Sequence, residues 1–141
     1  FYASPNMQGT RSGLPMACAW AVMQHLGIDG YIDLTQQTLV NADLMRAGIM
    51  AVDGVRVLGE GQFHLVAMAA EPDSGIDMFA LGDALLERGW YHDRQAPPDN
   101  LHSTVSNTNT GAIDQYLVDL AECVATVGTT DDRSTTYATL E

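Results

Sequence analysis

Between Leu14 and Leu26 the chain carries no charged residue, and Met16, Ala17, Cys18, Ala19, Trp20, Ala21, Val22 and Met23 follow one another without a polar break. A helix built from this stretch has no hydrophilic stripe to turn toward water, so all of its faces call for burial. A chain of 141 residues rarely surrounds one helix so completely. The segment therefore predicts a helix that packs against protein outside this sequence. Residues 1–13 are rich in Gly, Ser, Thr, Pro and Asn and read as a loop, in which Thr10 or Ser12 offers an N-cap. Gly27 offers the C-terminal stop. Pro15 and the shortness of the run exclude a bilayer span.

Downstream, a second helix is expected from about Gly30 to Ala51, with Val40, Leu44, Ala47 and Ala51 on its apolar face. After the Asp53-Gly54 turn, Val55 to Leu58 and Gln62 to Ala70 read as a hairpin broken at Gly59-Glu60-Gly61. Asp73 or Ser74 is the expected cap of a helix lined by Met78, Leu81 and Leu85 and closed at Gly89. Trp90 to Arg94 is a short extended piece, Ala96 to Asp99 a loop, and Leu101 to Val105 a third strand. Ile113, Leu117, Leu120, Val124 and Val127 then step by four, three, four and three, the clearest helical period in the chain. The expected fold is α/β: helices over residues 1–50, a small β-β-α-β-α domain over 51–128 with helices on one face of an open sheet, and a polar, frayed tail over 129–141.

The charge balance removes several chemistries. The chain has 18 acidic and six basic residues, net −12, and every basic residue is arginine. Without lysine it has no Schiff-base, P-loop or general-base lysine of its own. Without basic clusters it offers no surface for nucleic acid or anionic membrane. Cys18 and Cys123 are too few for a zinc site or a disulfide framework, and read as buried free thiols in a reducing, cytoplasmic compartment.

Candidate sites are few. Gly9-Thr10-Arg11-Ser12-Gly13 joins two glycines, two hydroxyls and a guanidinium ahead of a helix start, the donor set a phosphate or carboxylate needs. The competing reading is a polar turn with a cap. His25, His64, His92 and His102 show no metal-binding spacing, although His64 and His102 fall in expected strands and could face each other. Arg94 could anchor a substrate carboxylate or lie solvated on the surface, and no nucleophile elbow is present.

The ordered string Tyr2-Ala3-Ser4-Pro5, Gly9-Thr10-Arg11-Ser12-Gly13, Ala19-Trp20-Ala21, Leu26-Gly27 and Gly30-Tyr31 resembles the C-terminal half of the group II PLP-dependent decarboxylase superfamily, and within it sphingosine-1-phosphate lyases. The similarity continues through Gly89-Trp90, Pro97-Pro98 and Leu101-His102, to about residue 127. Thr10 stands where the lyases usually have serine and Ser12 where they have proline, while archaeal-type tyrosine or aspartate decarboxylases have a similar Gly-Thr-Arg-Ser-Gly. The resemblance implies a fold-type I, aminotransferase-like enzyme whose pyridoxal 5′-phosphate sits on a lysine of a large domain that precedes this sequence. It implies a homodimer with active sites at the subunit interface and an amine or amino-acid substrate. Tyr2, Ser4, Gly9, Thr10 and Arg11 would then lie near the cofactor phosphate, with Arg94 and His102 as candidate substrate contacts. The reaction would be retro-aldol cleavage of a phosphorylated long-chain base or, alternatively, loss of an α-carboxylate. A stand-alone regulatory or dimerisation module is the remaining alternative. This chain alone, lacking the lysine, is expected to be inactive.

Overall fold

The computed structural model describes residues 9, 11–60 and 63–138, and the chain divides into two compact units, Phe1–Leu34 and Thr35–Glu141. Helix α1 (Leu14–Met50) starts in the first unit and is interrupted at Gly27, whose φ of 61° and ψ of −175° are non-helical. This is the break expected there, because a left-handed φ costs glycine nothing. Ser12 caps the start, its Oγ accepting from the Leu14 N–H at 3.2 Å. In this unit Leu14, Met16, Trp20, Val22, Met23, Ile28 and Ile32 are all exposed, Trp20 at 62% and Ile28 at 79%. Cys18, expected to be buried, is exposed with them, while Cys123 is buried.

The second unit is built on a five-stranded sheet: β1 (Val55–Val57), β2 (Leu65–Ala70), β3 (Asp93–Ala96), β4 (Asn100–Thr104) and β5 (Tyr137–Ala138), in the order β1-β2-β4-β3-β5. The first four strands pair antiparallel, and β5 joins β3 in parallel. Met68 lies opposite Leu101, and Leu101 opposite Arg94, so these three share a face. Helices α2 (Met78–Glu87) and α3 (Ile113–Thr126) complete the core with Phe79, Leu81, Leu85, Ile113, Tyr116 and Leu120.

The expected β-β-α-β-α order is therefore extended. The Trp90–Arg94 piece and the Ala96 loop start merge into β3, which turns back at Pro97 to Asp99 to form a hairpin with β4. Residues 129–138 are polar as expected but anchored rather than frayed. Thr130 N–H donates to Asp77 at 3.2 Å, Arg133 bonds both Asp77 oxygens at 3.1 Å and also pairs with Asp99, and Thr136 N–H reaches the Arg94 carbonyl at 2.8 Å. Asp77, not Asp73 or Ser74, caps α2, accepting from the N–H groups of Phe79 at 2.9 Å and Ala80 at 3.2 Å. Burial would raise its pKa, but the Thr130, Ala80 and Phe79 amides and Arg133 outweigh that and hold the carboxyl below its ordinary 3.8.

The second half of α1 is rotated from expectation. Val40 and Leu44 are exposed, while Ala42, Met45 and Ile49 enter the core. Both stripes are apolar, so periodicity alone does not choose between them. Polar anchors do: Asn41 Nδ2 donates to the Ser106 carbonyl at 2.9 Å and to Thr110 Oγ1 at 3.0 Å, and Arg46 bonds the carbonyls of Phe63 and Leu65. Gly48 lets α1 approach α3 closely, since a Cβ there would overlap the Leu117 side chain. Gly48→Ala should cost about 1–3 kcal/mol by overpacking. In a Leu117→Ala background it should instead stabilise by roughly 0.5–1 kcal/mol through helix propensity alone. Denaturant unfolding of the four proteins of this cycle measures both values.

Candidate functional site

The Gly9-to-Gly13 turn belongs to the first unit. Gly9 has a φ of 63°, a left-handed conformation that turns the chain ahead of α1. Arg11 is exposed beside it, and Ser12 spends its hydroxyl on the cap. Tyr2, Ser4 and Thr10 lie outside the described residues. The turn thus places a left-handed glycine and an exposed guanidinium at a helix N-terminus, where backbone N–H groups and the dipole favour an anion.

Arg94 and His102 belong to the second unit. Arg94 shares a face with Leu101, so His102, the next residue along β4, points to the opposite face. The fold does not bring the two together. The Arg94 guanidinium is engaged by Asp83, by the Phe79 carbonyl at 3.0 Å and by Asp132 at 3.3 Å, and lies 5.3 Å from the Phe79 ring centroid. His102 Nδ1 stands 3.8 Å from Asp93 Oδ2, too far for a hydrogen bond. His64 precedes β2, and its carbonyl accepts from Val105 N–H, so it does not face His102, which lies opposite Ala67. Among the described residues no group of three His, Cys, Asp or Glu side chains is placed to hold a metal, and no helix is long and apolar enough to cross a membrane.

The histidine that sequence reasoning passed over is His92. It borders a pocket of about 270 Å3 together with Met45, Trp90, Val105, Ile113 and Tyr116. Its Nε2 lies 3.1 Å from Tyr116 Oη, and its ring is 5.5 Å from the Tyr116 ring. The Trp90 ring meets Tyr116 edge-on at 5.4 Å, and its indole N–H donates to Asp119 at 2.7 Å. Arg88 bonds Asp119 at 2.9 Å and Glu122 at 2.6 Å, fixing the end of α2 to α3. The clustering of Trp90, Tyr91 and His92 between a helix stop and a strand was the available signal.

Burial pushes the His92 imidazole down to about 4 and raises the Tyr116 phenol above its ordinary range. The unfolded chain takes up a proton near pH 6.5, where the folded one does not. Stability should therefore fall as pH drops from about 6.5 to about 4, by at most about 3 kcal/mol from this group. The Trp90 indole and Arg88 hold Asp119 below 3.8, and the Ser134 amide and hydroxyl do the same for Asp132, so with Asp77 they titrate below that window. Unfolding free energies of wild type and His92→Phe between pH 7.5 and 4 test this, with a flatter profile expected for the variant.

No family model matches the chain. It is 29% identical over 128 residues to the sphingosine-1-phosphate lyase of Drosophila melanogaster, a match covering 89% of this chain and 23% of that protein. It is 30% identical over 123 residues to a probable L-tyrosine/L-aspartate decarboxylase of Methanothrix thermoacetophila, covering 83% of this chain and 29% of that protein. Among solved structures, the sphingosine-1-phosphate lyase of Burkholderia pseudomallei superposes with a TM-score of 0.79 at 31% identity, over 88% of this chain and 28% of that one. The structure of Oryza sativa TDC with PLP and tryptamine shares the fold with a TM-score of 0.68 at 15% identity, over 75% of this chain and 25% of that one. The resemblance read from the sequence motifs therefore holds in sequence and in fold, and the chain spans about a quarter of the length of the curated relatives it matches.

Proposed function

We propose that this chain is part of a pyridoxal 5′-phosphate-dependent carbon–carbon lyase of the sphingosine-1-phosphate lyase type. The observation that carries this reading is the joint match to such a lyase at 31% identity and a TM-score of 0.79 over 88% of the chain. When bound, the cofactor supplies an electron sink for the carbanion at the substrate Cα. Its anchoring lysine must come from outside these 141 residues, which contain none.

The Gly9-to-Arg11 turn suits the cofactor phosphate. A left-handed glycine, an exposed guanidinium and a capped helix start form a donor set with no competing carboxylate among residues 9–13. In this reading Arg11 contributes charge-assisted hydrogen bonds and Gly9 allows close backbone approach. Tyr2, Ser4 and Thr10 would flank the same phosphate, at an interface between two copies of the enzyme. The uncovered side chains of α1, Trp20 and Ile28 among them, would pack on the large domain and the second copy. Arg94 would act as a structural anchor for the 129–138 segment, its guanidinium being occupied, and His102 is the weaker candidate for a substrate contact.

The second reading, an amino-acid decarboxylase, is favoured by the Gly9-Thr10-Arg11-Ser12-Gly13 sequence and the 30% identity to the archaeal decarboxylase. Incubating the full-length protein with a phosphorylated long-chain base and, separately, with tyrosine, aspartate or glutamate separates the two. Release of a long-chain aldehyde supports the lyase; release of CO2 supports the decarboxylase and overturns it. In the full-length protein, Arg11→Ala should weaken cofactor retention at least tenfold, read from cofactor absorbance after dialysis. Undiminished retention would make the turn purely structural.

A further inference from the structure

The pocket beside α3 has a mixed wall. Core side chains such as Ile113 and Tyr116 reach it, but most of its lining lies outside the core, Tyr91, Asp93 and His102 among it. Asp93 and His102 are neighbours because β3 and β4 set them directly opposite each other. His92 is already occupied, bonded to the Trp90 backbone and through Nε2 to Tyr116 Oη. The unbalanced group is Asp93. Its side chain is only 23% exposed. A carboxylate withdrawn from water to this degree ordinarily has a cation beside it. Arg46, Arg88, Arg94 and Arg133 pair with other carboxylates, and among the described residues no arginine forms an ion pair with Asp93. The Tyr91 hydroxyl donates to its Oδ1 at 3.1 Å. On the other side, His102 Nδ1 stands 3.8 Å from Oδ2, beyond hydrogen-bond reach, and has no hydrogen-bond partner of its own among the described residues. Oδ2 is thus left without a donor on the wall of a cavity.

We propose that this pocket binds a small organic cation of the ammonium class, with Asp93 as its counter-ion and Trp90, Tyr91 and Tyr116 as its aromatic surround. All three rings border the cavity, and Trp90 and Tyr116 meet edge-on at 5.4 Å. Aromatic faces attract ammonium groups, and the attraction grows as the cation leaves water. Size permits the fit: a cavity of roughly 150 Å3 holds benzene, and about 270 Å3 takes a trimethylammonium head with a short chain. Charge narrows the class. A phosphate or carboxylate would meet Asp93, and a neutral guest would leave it unbalanced. A metal ion fits poorly, because among the described residues no three His, Cys, Asp or Glu side chains converge to hold one. The site uses no residue of the Gly9-to-Arg11 turn and does not depend on the identity of the reaction.

Isothermal titration of the full-length, cofactor-loaded protein with choline and with 3,3-dimethylbutan-1-ol, at matched ionic strength, tests the proposal. The two probes share a shape and differ in the charge. Neither carries an N–H, so neither can condense with the cofactor. Choline should bind at one site per chain, at least about fivefold more tightly than the alcohol, with the cofactor absorbance unchanged. In Asp93→Asn the preference for choline should vanish. Equal affinity of the two probes for wild type would overturn the cation class, as would a preference that survives in folded Asp93→Asn. No saturable binding of either probe, as when another segment of the protein fills the pocket, would overturn the site itself. The wild-type comparison stands even if the variant fails to fold.

Discussion

The second unit closes because one face of its sheet finds enough apolar surface to cover it. Val66 and Met68 on β2 and Leu101 on β4 are almost fully buried, as are Phe79, Leu81 and Leu85 on α2 and Leu120 on α3. Each such side chain contributes roughly 1.5–3 kcal/mol on leaving water, so this cluster is the term against which the entropy of ordering the unit is set. Among the described residues the first unit has no equivalent. Its helix exposes large side chains along its length, Trp20 among them, a pattern that marks an interaction surface rather than a soluble face. A stand-alone module would have to cover that surface by self-association. A piece of a larger enzyme has it covered by the rest of the fold.

Around the core, a chain without lysine does its electrostatic fastening with arginine. Arg88 ties α2 to α3 through Asp119 and Glu122, Arg94 ties β3 to α2 and to Asp132, and Arg133 clips the 129–138 segment to Asp77 and Asp99. The planar fork of arginine suits such shared carboxylates better than an ammonium would. The two guanidiniums of Arg94 and Arg133 also lie within 5.3 Å and 4.5 Å of the Phe79 ring centroid, so one aromatic side chain serves the core and the anchored tail together. The negative charge of the chain is thus partly organised around its few cations rather than spread uniformly over the surface.

Legibility followed the locality of the forces. The period of α3, the break at Gly27 and the stop at Gly89 are set by neighbours in sequence and were readable there. The facing of α1 was not, because Val40-Leu44 and Met45-Ile49 are equally apolar and the choice depends on Asn41 reaching Ser106 and Thr110, more than sixty residues away. The cap at Asp77 and the anchored tail depend on the same kind of distant pairing, through Arg133 and Thr130. The Ser12 cap was legible because it sits next to the helix start it serves. His92 was missed because its character comes from Tyr116 on another element and from burial, neither of which spacing reveals.

The central claim, that the exposed face of the first helix is covered in the full-length protein, can be read from two thiols in this sequence. Cys18 lies exposed on that helix and Cys123 is buried in the core of the second unit, where burial raises its pKa and slows its reaction. Native-state maleimide labelling, followed by peptide mass spectrometry, should find Cys18 reactive in the isolated 141-residue chain and protected in the full-length protein, with Cys123 slow in both. Equally fast labelling of Cys18 in the full-length protein would contradict the account, leaving the helix uncovered and the enzyme reading without its structural support.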